Sequence, residues 1–406
     1  MKNITGPPVT GADFFGREEE LARLRRAVEA GNHALLSAPR RVGKSSLVLR
    51  LCDMLLAEGW QVVRLDVQHC SDEAEFVRAL LRATVDGGLE VPGGVKAVDG
   101  LRRFRSLFAG TKGQVGPVGL EVGGDEADVW RKLAASVQRV LSSAGGQGPV
   151  LIAVDELPIF LGKVADSEDG VRRARGVLDW LRGVRQNTGG RVSWIITGSV
   201  GLDSFVERRG LHGAINDLTP QTLGAFSDET AVAFLKALGA NLDRPRNMGD
   251  EVCAEIIRRV GWPLPFYLQL LFSSLMDRPA ERREAPGFPT TEDVAAAYDD
   301  LLQPHQQIRF DHWDSRLDQQ FDDPADAGIA RYVLAHVCQR ARGCPRGKLF
   351  NLLLSRQPNV DPDALERRLV SILHLLGRDG YLLQTGSTHA FRSFLLRDYW
   401  KRRFCE

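Results

Sequence analysis

The chain has 406 residues, 43% hydrophobic and 26% charged, with 53 Lys and Arg against 52 Asp and Glu. That length and composition suit two or three domains with real cores. No apolar run approaches the roughly 20 residues that cross a bilayer, and MKNITGPPVTGADFF lacks a signal-peptide core, which excludes a membrane helix and points to the cytoplasm. Six cysteines (52, 70, 253, 338, 344 and 405) include no C-x-x-C pair. They read as reduced thiols and not as a disulfide framework or zinc site.

In chain order, residues 1–12 read as an extended arm rich in Pro, Gly and Thr, and a helix follows through Val28. The apolar run at 33–37 predicts a buried strand, the turn at 38–44 a Gly-bearing loop, and 45–58 a helix ending near Gly59. A strand at 61–67 and a helix at 72–85 come next. Residues 86–125 are Gly-rich and poorly periodic, and read as a long insertion. A helix at 126–143 precedes a strand at 150–156, and a helix at 169–186 precedes one at 192–196. A fifth strand is predicted near 214–219. Strands alternating with helices imply an α/β fold with a parallel sheet covered on both faces.

From Ser227 the pattern is helical only, over 227–238, 249–260 and 263–277. Pro-rich residues 279–289 read as a linker, with a helix from Thr290 or Thr291 and a charged, aromatic segment from Asp311 to Phe321. Helices over 325–341, 346–355 and 362–376 precede a hairpin, Tyr381-Leu382-Leu383 and His389-Ala390-Phe391 around Thr385-Gly386-Ser387. Three helices and a hairpin predict a winged helix, followed by a basic helix with Arg397, Lys401, Arg402 and Arg403. The domain reading is therefore a core at 1–225, a helical lid at 226–278, a linker with helix at 279–324, and a winged-helix domain at 325–406.

The loop carries the clearest chemistry. HALLSAPRRVGKSSL meets G-x-x-x-x-G-K-[ST] at Gly43, Lys44 and Ser45, with Ala38 in place of the first Gly. Gly43 lets successive N–H groups turn toward phosphate oxygens, and Lys44 supplies charge to the β- and γ-phosphates. Ser45 suits a Mg²⁺ ligand, and the helix N-terminus faces the same anion. Pro39, Arg40, Arg41, Val42 and Ser46 complete the expected nucleotide cradle. For Arg40 and Arg41, a subunit or γ-phosphate contact and plain solvent exposure both stay open.

VLIAVDE at 150–156 ends in two carboxylates. Asp155 fits the acid that holds Mg²⁺, and Glu156 the base that activates water. The third strand ends in Thr197-Gly198-Ser199, where Thr197 or Ser199 can sense the γ-phosphate. Together with the loop, these residues predict binding of ATP or GTP. His212 and His305 have no ligand-spaced companions, so no other metal is assigned.

FFGREEEL at 14–21, SAPRRVGKSSL, VLIAVDEL, IITGSVGL at 195–202, GWPLPFYLQ at 261–269 and FRSFLLRDYWKRRF at 391–404 together resemble the AAA+/STAND group of P-loop ATPases. The likeness is strongest to small prokaryotic members related to archaeal initiator-like proteins. The resemblance implies strand order 5-1-4-3-2 and ATP/ADP with Mg²⁺ as cofactors. It implies Phe15, Gly16 and Arg17 on the adenine side, and Trp262 and Pro263 of a lid Gly-x-Pro element on the nucleotide. For Trp262, base stacking and lid packing both stay open. A family Arg is absent at Leu211-His212-Gly213-Ala214, with Arg208 and Arg209 nearby as substitutes.

Residues 325–406 hold 14 Lys and Arg against 7 Asp and Glu, a net of +7 on a chain whose total is +1. The leading expectation is an ATP-hydrolysing switch that controls oligomerisation or partner binding through lid and winged helix. Two alternatives accompany it: an initiator- or transposition-like ATPase that binds DNA, and a regulatory subunit for a protein effector encoded elsewhere, as in anti-phage defence.

Overall fold

The computed structural model describes residues 1–89, 126–144, 148–198, 201–242, 247–278, 289–321 and 323–405. Most of the predicted insertion at 86–125 and of the linker at 279–289 lies outside them, as does Ser199. The chain folds as two compact units. One comprises Glu19–Ser37 and Val48–Gln221, the other Met1–Glu18, Ala38–Leu47 and Thr222–Glu406.

The first unit is a five-stranded sheet with helices. Its strands are β1 (His33–Ser37), β2 (Gln61–Asp66), β3 (Val150–Asp155), β4 (Val192–Gly198) and β5 (Leu218–Thr222), in the order β2-β3-β4-β1-β5. This is the predicted order read from the other edge. β1 with β4, β4 with β3, and β3 with β2 pair in parallel. β3 and β4 are buried along nearly their whole length, so they carry unbroken apolar runs and not an alternating pattern. Around them pack α1 (Glu18–Glu29), α3 (Glu73–Asp86), α4 (Glu126–Ala144), α5 (Leu157–Ala165), α6 (Gly170–Gln186) and α7 (Leu202–Arg208), α2 (Lys44–Ala57) being the helix that follows the loop. The core is aromatic at its centre: Phe76 stacks on Phe160 at 4.8 Å, and Trp194 is fully buried. Arg185, 3% exposed, pairs with Asp217 at 2.6 Å. Burial alone would raise the Asp217 carboxyl, but the guanidinium outweighs it and holds it below its ordinary value.

Three details differ from the sequence reading. The fifth strand begins at Leu218, and residues 212–214 form a 3₁₀ turn instead. β5 is largely exposed at the sheet edge, so no apolar run marks it. α5 was not expected, because its nine residues follow β3 directly and are apolar almost throughout. β4 runs on to Gly198, which puts Thr197 inside the strand.

The second unit is helical around a small sheet. It contains α8 (Asp228–Ala240), α9 (Asp250–Val260), α10 (Pro265–Asp277), α11 (Thr291–Leu301), α12 (Asp311–Gln320), α13 (Pro324–Val337), α14 (Arg346–Arg356), α15 (Pro362–Arg378) and α16 (Phe394–Phe404). β6 (Cys344–Pro345), β7 (Leu382–Thr385) and β8 (Thr388–Phe391) form an antiparallel sheet in the order β6-β8-β7. Local sequence sets the helix ends. Ser227 caps α8 through the Thr230 N–H, Thr290 and Asp293 form a capping box on α11, and Gly261 ends α9 at φ 70°. Buried hydroxyls join distant elements: Ser393 to the Val260 carbonyl at 3.1 Å, Tyr381 to the Trp313 carbonyl at 2.7 Å, and Tyr399 to Asp311 at 2.8 Å.

Candidate functional site

β1 ends at Ser37, and the chain turns through residues 38–43 before α2 starts at Lys44. Two loop residues take the left-handed conformation, Arg41 at φ 65° and Gly43 at φ 100°. A Cβ added to Gly43 would meet nothing within 4 Å, so the backbone angle and not space calls for glycine there. Ala38 keeps a negative φ, so replacing the usual Gly costs no strain. Val42 is fully buried and anchors the turn. The Leu47 N–H donates to the Gly43 carbonyl at 3.0 Å, which leaves the first turn of α2 to offer N–H donors and positive potential to an anion. Lys44 is 7% exposed, and its Nζ donates to the carbonyls of Ala38 at 2.7 Å and Pro39 at 2.9 Å.

The loop is held from several directions within its unit. Arg17, 5% exposed, donates to the Val42 carbonyl at 3.2 Å and the Gly224 carbonyl at 2.7 Å, and its guanidinium lies 4.5 Å from the Phe226 ring centre. Gly16, at φ 65°, sits so close to α8 that a Cβ would fall 2.5 Å from Thr230. Phe15 packs on Phe234 at 5.6 Å. The Phe15-Gly16-Arg17 box thus joins the loop to the start of α8. The N-terminal arm contributes too, for the Val9 N–H donates to Ser46 Oγ at 3.0 Å and Arg41 donates to the Gly6 carbonyl at 3.3 Å. Backbone contacts of this kind leave no sequence signal.

Arg40 and Arg41 are half-buried, and Arg41 lies 4.7 Å from the Phe266 ring centre. Burial, and then the charges of Arg41, Arg40 and Arg316, push the His312 imidazole down to about 3. Arg316, 1% exposed on α12, lies 3.8 Å from Asp379, which also accepts from the Gln320 amide. Sequence reasoning missed Arg316, Gln320 and Asp379, since Asp379 lies 59 positions beyond Gln320 in the chain. Trp262 is placed in the same region. A Cβ on Gly380, at φ 89°, would fall 2.7 Å from the Trp262 ring and 3.0 Å from Pro39, and Arg392 lies 5.4 Å from the indole centre. The Pro263 carbonyl accepts from the Phe226 N–H at 3.1 Å.

In the sheet unit, Asp155 ends β3 and Thr197 lies beside that end on β4, 1% exposed. The Thr197 hydroxyl donates to Asp155 Oδ1, as does the Glu156 N–H at 3.0 Å. Glu156 itself is at φ 59°, a conformation that costs about 1–3 kcal/mol in a non-Gly residue and clusters at functional sites. Ser37 Oγ donates to Asp203 at 3.5 Å, which adds an acid at this edge that the sequence did not single out. Arg209 lies over Phe205 at 4.3 Å. A carboxylate such as that of Asp155 is an oxygen donor of the kind hard cations take. Among the described residues no cluster of three or more His, Cys, Asp or Glu forms a self-sufficient metal site.

Residues 13–167 match the AAA ATPase domain family. No curated protein matches the sequence. Among solved structures, the fold is similar to the Walker-type ATPase PABY2304 of Pyrococcus abyssi, at 19% identity and TM-score 0.62 over 99% of this chain and 100% of that one. It is also similar to the ORC2 protein of Aeropyrum pernix in its ADPNP-ADP complexes, at 12% identity and TM-score 0.56 over 98% and 96%. No helix among the described residues is long and apolar enough to cross a membrane. The family match thus covers the phosphate loop and β3, and the chain as a whole shares the fold of these P-loop ATPase structures.

Proposed function

We propose that the protein binds and hydrolyses ATP and uses the nucleotide state to control its assembly or its binding of a partner. The observation that carries this reading is the phosphate loop, with Lys44 opening α2 behind Arg41 and Gly43 in left-handed conformations. In this reading the loop N–H groups from Pro39 to Ser46 and the Lys44 ammonium hold the phosphates. Ser45 and Asp155 supply protein oxygens to Mg²⁺, which when bound neutralises phosphate charge. Glu156 takes a proton from the attacking water, and Thr197 reports the change through its bond to Asp155. Ser199 is a second candidate for that sensing role. Phe15, Gly16, Arg17, Trp262 and Pro263 relay nucleotide state to the lid at 226–278. The six free thiols favour a cytoplasmic setting.

Two variants test the assignment. Lys44→Ala should abolish ATP binding in calorimetry, while Glu156→Gln should bind ATP and fail to turn it over. Unchanged turnover in the Glu156 variant sinks its role as base.

A second reading rests on the C-terminal elements at 325–406, which we read as a winged helix that binds DNA. Arg367, Ser371 and His374 are exposed on α15, and Gln384, Thr385 and Ser387 are exposed in the hairpin, on a module of net charge +7. Duplex DNA should bind with an affinity that falls steeply as salt rises, and Arg367→Ala should weaken it. Absence of binding at low salt removes this reading and leaves a protein partner.

A further inference from the structure

Cys338 and Cys405 are 67 positions apart in sequence, yet their sulfurs lie 3.5 Å from each other. Both thiols point at one acceptor, the Ala335 carbonyl, at 3.2 Å from Cys338 and 3.3 Å from Cys405. The two differ in access. Cys338 follows α13 and is 2% exposed, whereas Cys405 follows the last turn of α16 and is open to solvent. Burial first, and then the neighbouring sulfur, raises the Cys338 thiol, while Lys401 opposes them. The other four cysteines are buried free thiols.

We propose that Cys338 and Cys405 form a reversible oxidation site at which peroxide converts the pair to an intramolecular disulfide. Cys405, the accessible thiol, attacks a peroxide oxygen as its thiolate. The S–O bond forms, the O–O bond breaks, and the departing hydroxide takes a proton and leaves as water. Cys338 then attacks the Cys405 sulfur and gives up its thiol proton to the departing hydroxide, so that the S–S bond forms, the S–O bond breaks, and a second water leaves. Two thiols give up two electrons and two protons, and one peroxide becomes two waters. A disulfide is about 2.05 Å long, so the sulfurs must close by about 1.5 Å. Cys405 can supply that movement, because its backbone has already left the helix, at φ −126° and ψ −17°.

The cross-link would tie the end of α16 to α13 and close a loop containing α14, α15 and the three-stranded sheet. α16 also bonds α11 through Asp398 and Tyr298 at 2.8 Å, and α12 through Tyr399 and Asp311. Oxidation therefore fixes the helix that connects these elements, and it does so whether or not the nucleotide reading holds.

The test uses the full-length folded protein, treated with hydrogen peroxide, quenched, alkylated, and read by intact mass and non-reducing peptide mapping. The expected product has lost two hydrogen atoms, carries a peptide pair joined through Cys338 and Cys405, and melts at a higher temperature until reductant is added. Cys405→Ser should show neither change. Cys338→Ser should leave a Cys405 sulfenic acid that dimedone traps. Dimedone-labelled or sulfinic Cys405 in the unmodified sequence without the pair, a link only between two chains, or a pair that forms only in denaturant overturns the proposal.

Discussion

Arg17 shows how much a single side chain does in this fold. Its guanidinium serves the Val42 carbonyl, the Gly224 carbonyl and the Phe226 face while almost wholly buried. Arg17→Ala leaves two buried carbonyls without a charged donor, so urea unfolding should show a loss of about 3 kcal/mol. Thr197 carries a smaller, more local load. Thr197→Val keeps the shape inside β4 and removes the donor to Asp155, so under the nucleotide reading ATP turnover should fall by about 10- to 100-fold with little change in melting temperature. The places of Lys44, Ser45, Asp155 and Glu156 in the fold were legible because each follows or ends a strand that the apolar pattern marks. Arg17 was legible as part of a box, but its bonds to Val42 and Gly224 were not, because they join residues 25 and 207 positions away.

At the scale of elements, two glycines separate backbone demands from packing demands. Gly380 and Gly386 both have positive φ, at 89° and 60°, yet only Gly380 is enclosed, by Trp262 and Pro39. Gly386→Ala should cost only the backbone term, about 1–2 kcal/mol. Gly380→Ala should cost more in the same urea titration, and under the nucleotide reading it should also shift ATP affinity, since it presses on the loop through Pro39. Equal effects of the two substitutions count against that contact. Helix limits came through well in the sequence because Ser227, Thr290 and Gly261 set them locally. β5 and α5 did not, one being an exposed edge and the other apolar almost throughout.

Across the whole molecule, acid should act through buried imidazoles. His312 has a folded pKa of about 3 against 6.5 for the free group, and burial also lowers His33 and His389. As pH falls below about 6.5 the unfolded chain takes up these protons before the folded one, so stability should drop between pH 6.5 and 3 and stay flat with respect to these groups above it. His312→Gln should reduce the slope of melting temperature against pH in that window, while the remaining histidines keep part of it. The sequence by itself determined the order of strands and helices apart from α5, and where in that order the loop at 38–44 and the carboxylates of Asp155 and Glu156 fall, because hydrophobic periodicity and turn chemistry act over a few residues. Only the tertiary structure decided that Arg316 faces Asp379, that Gly380 rests on Trp262 and Pro39, and that the Cys338 and Cys405 thiols meet. Those pairs join residues distant along the chain, and packing of the folded backbone, which no local pattern encodes, brings them into contact.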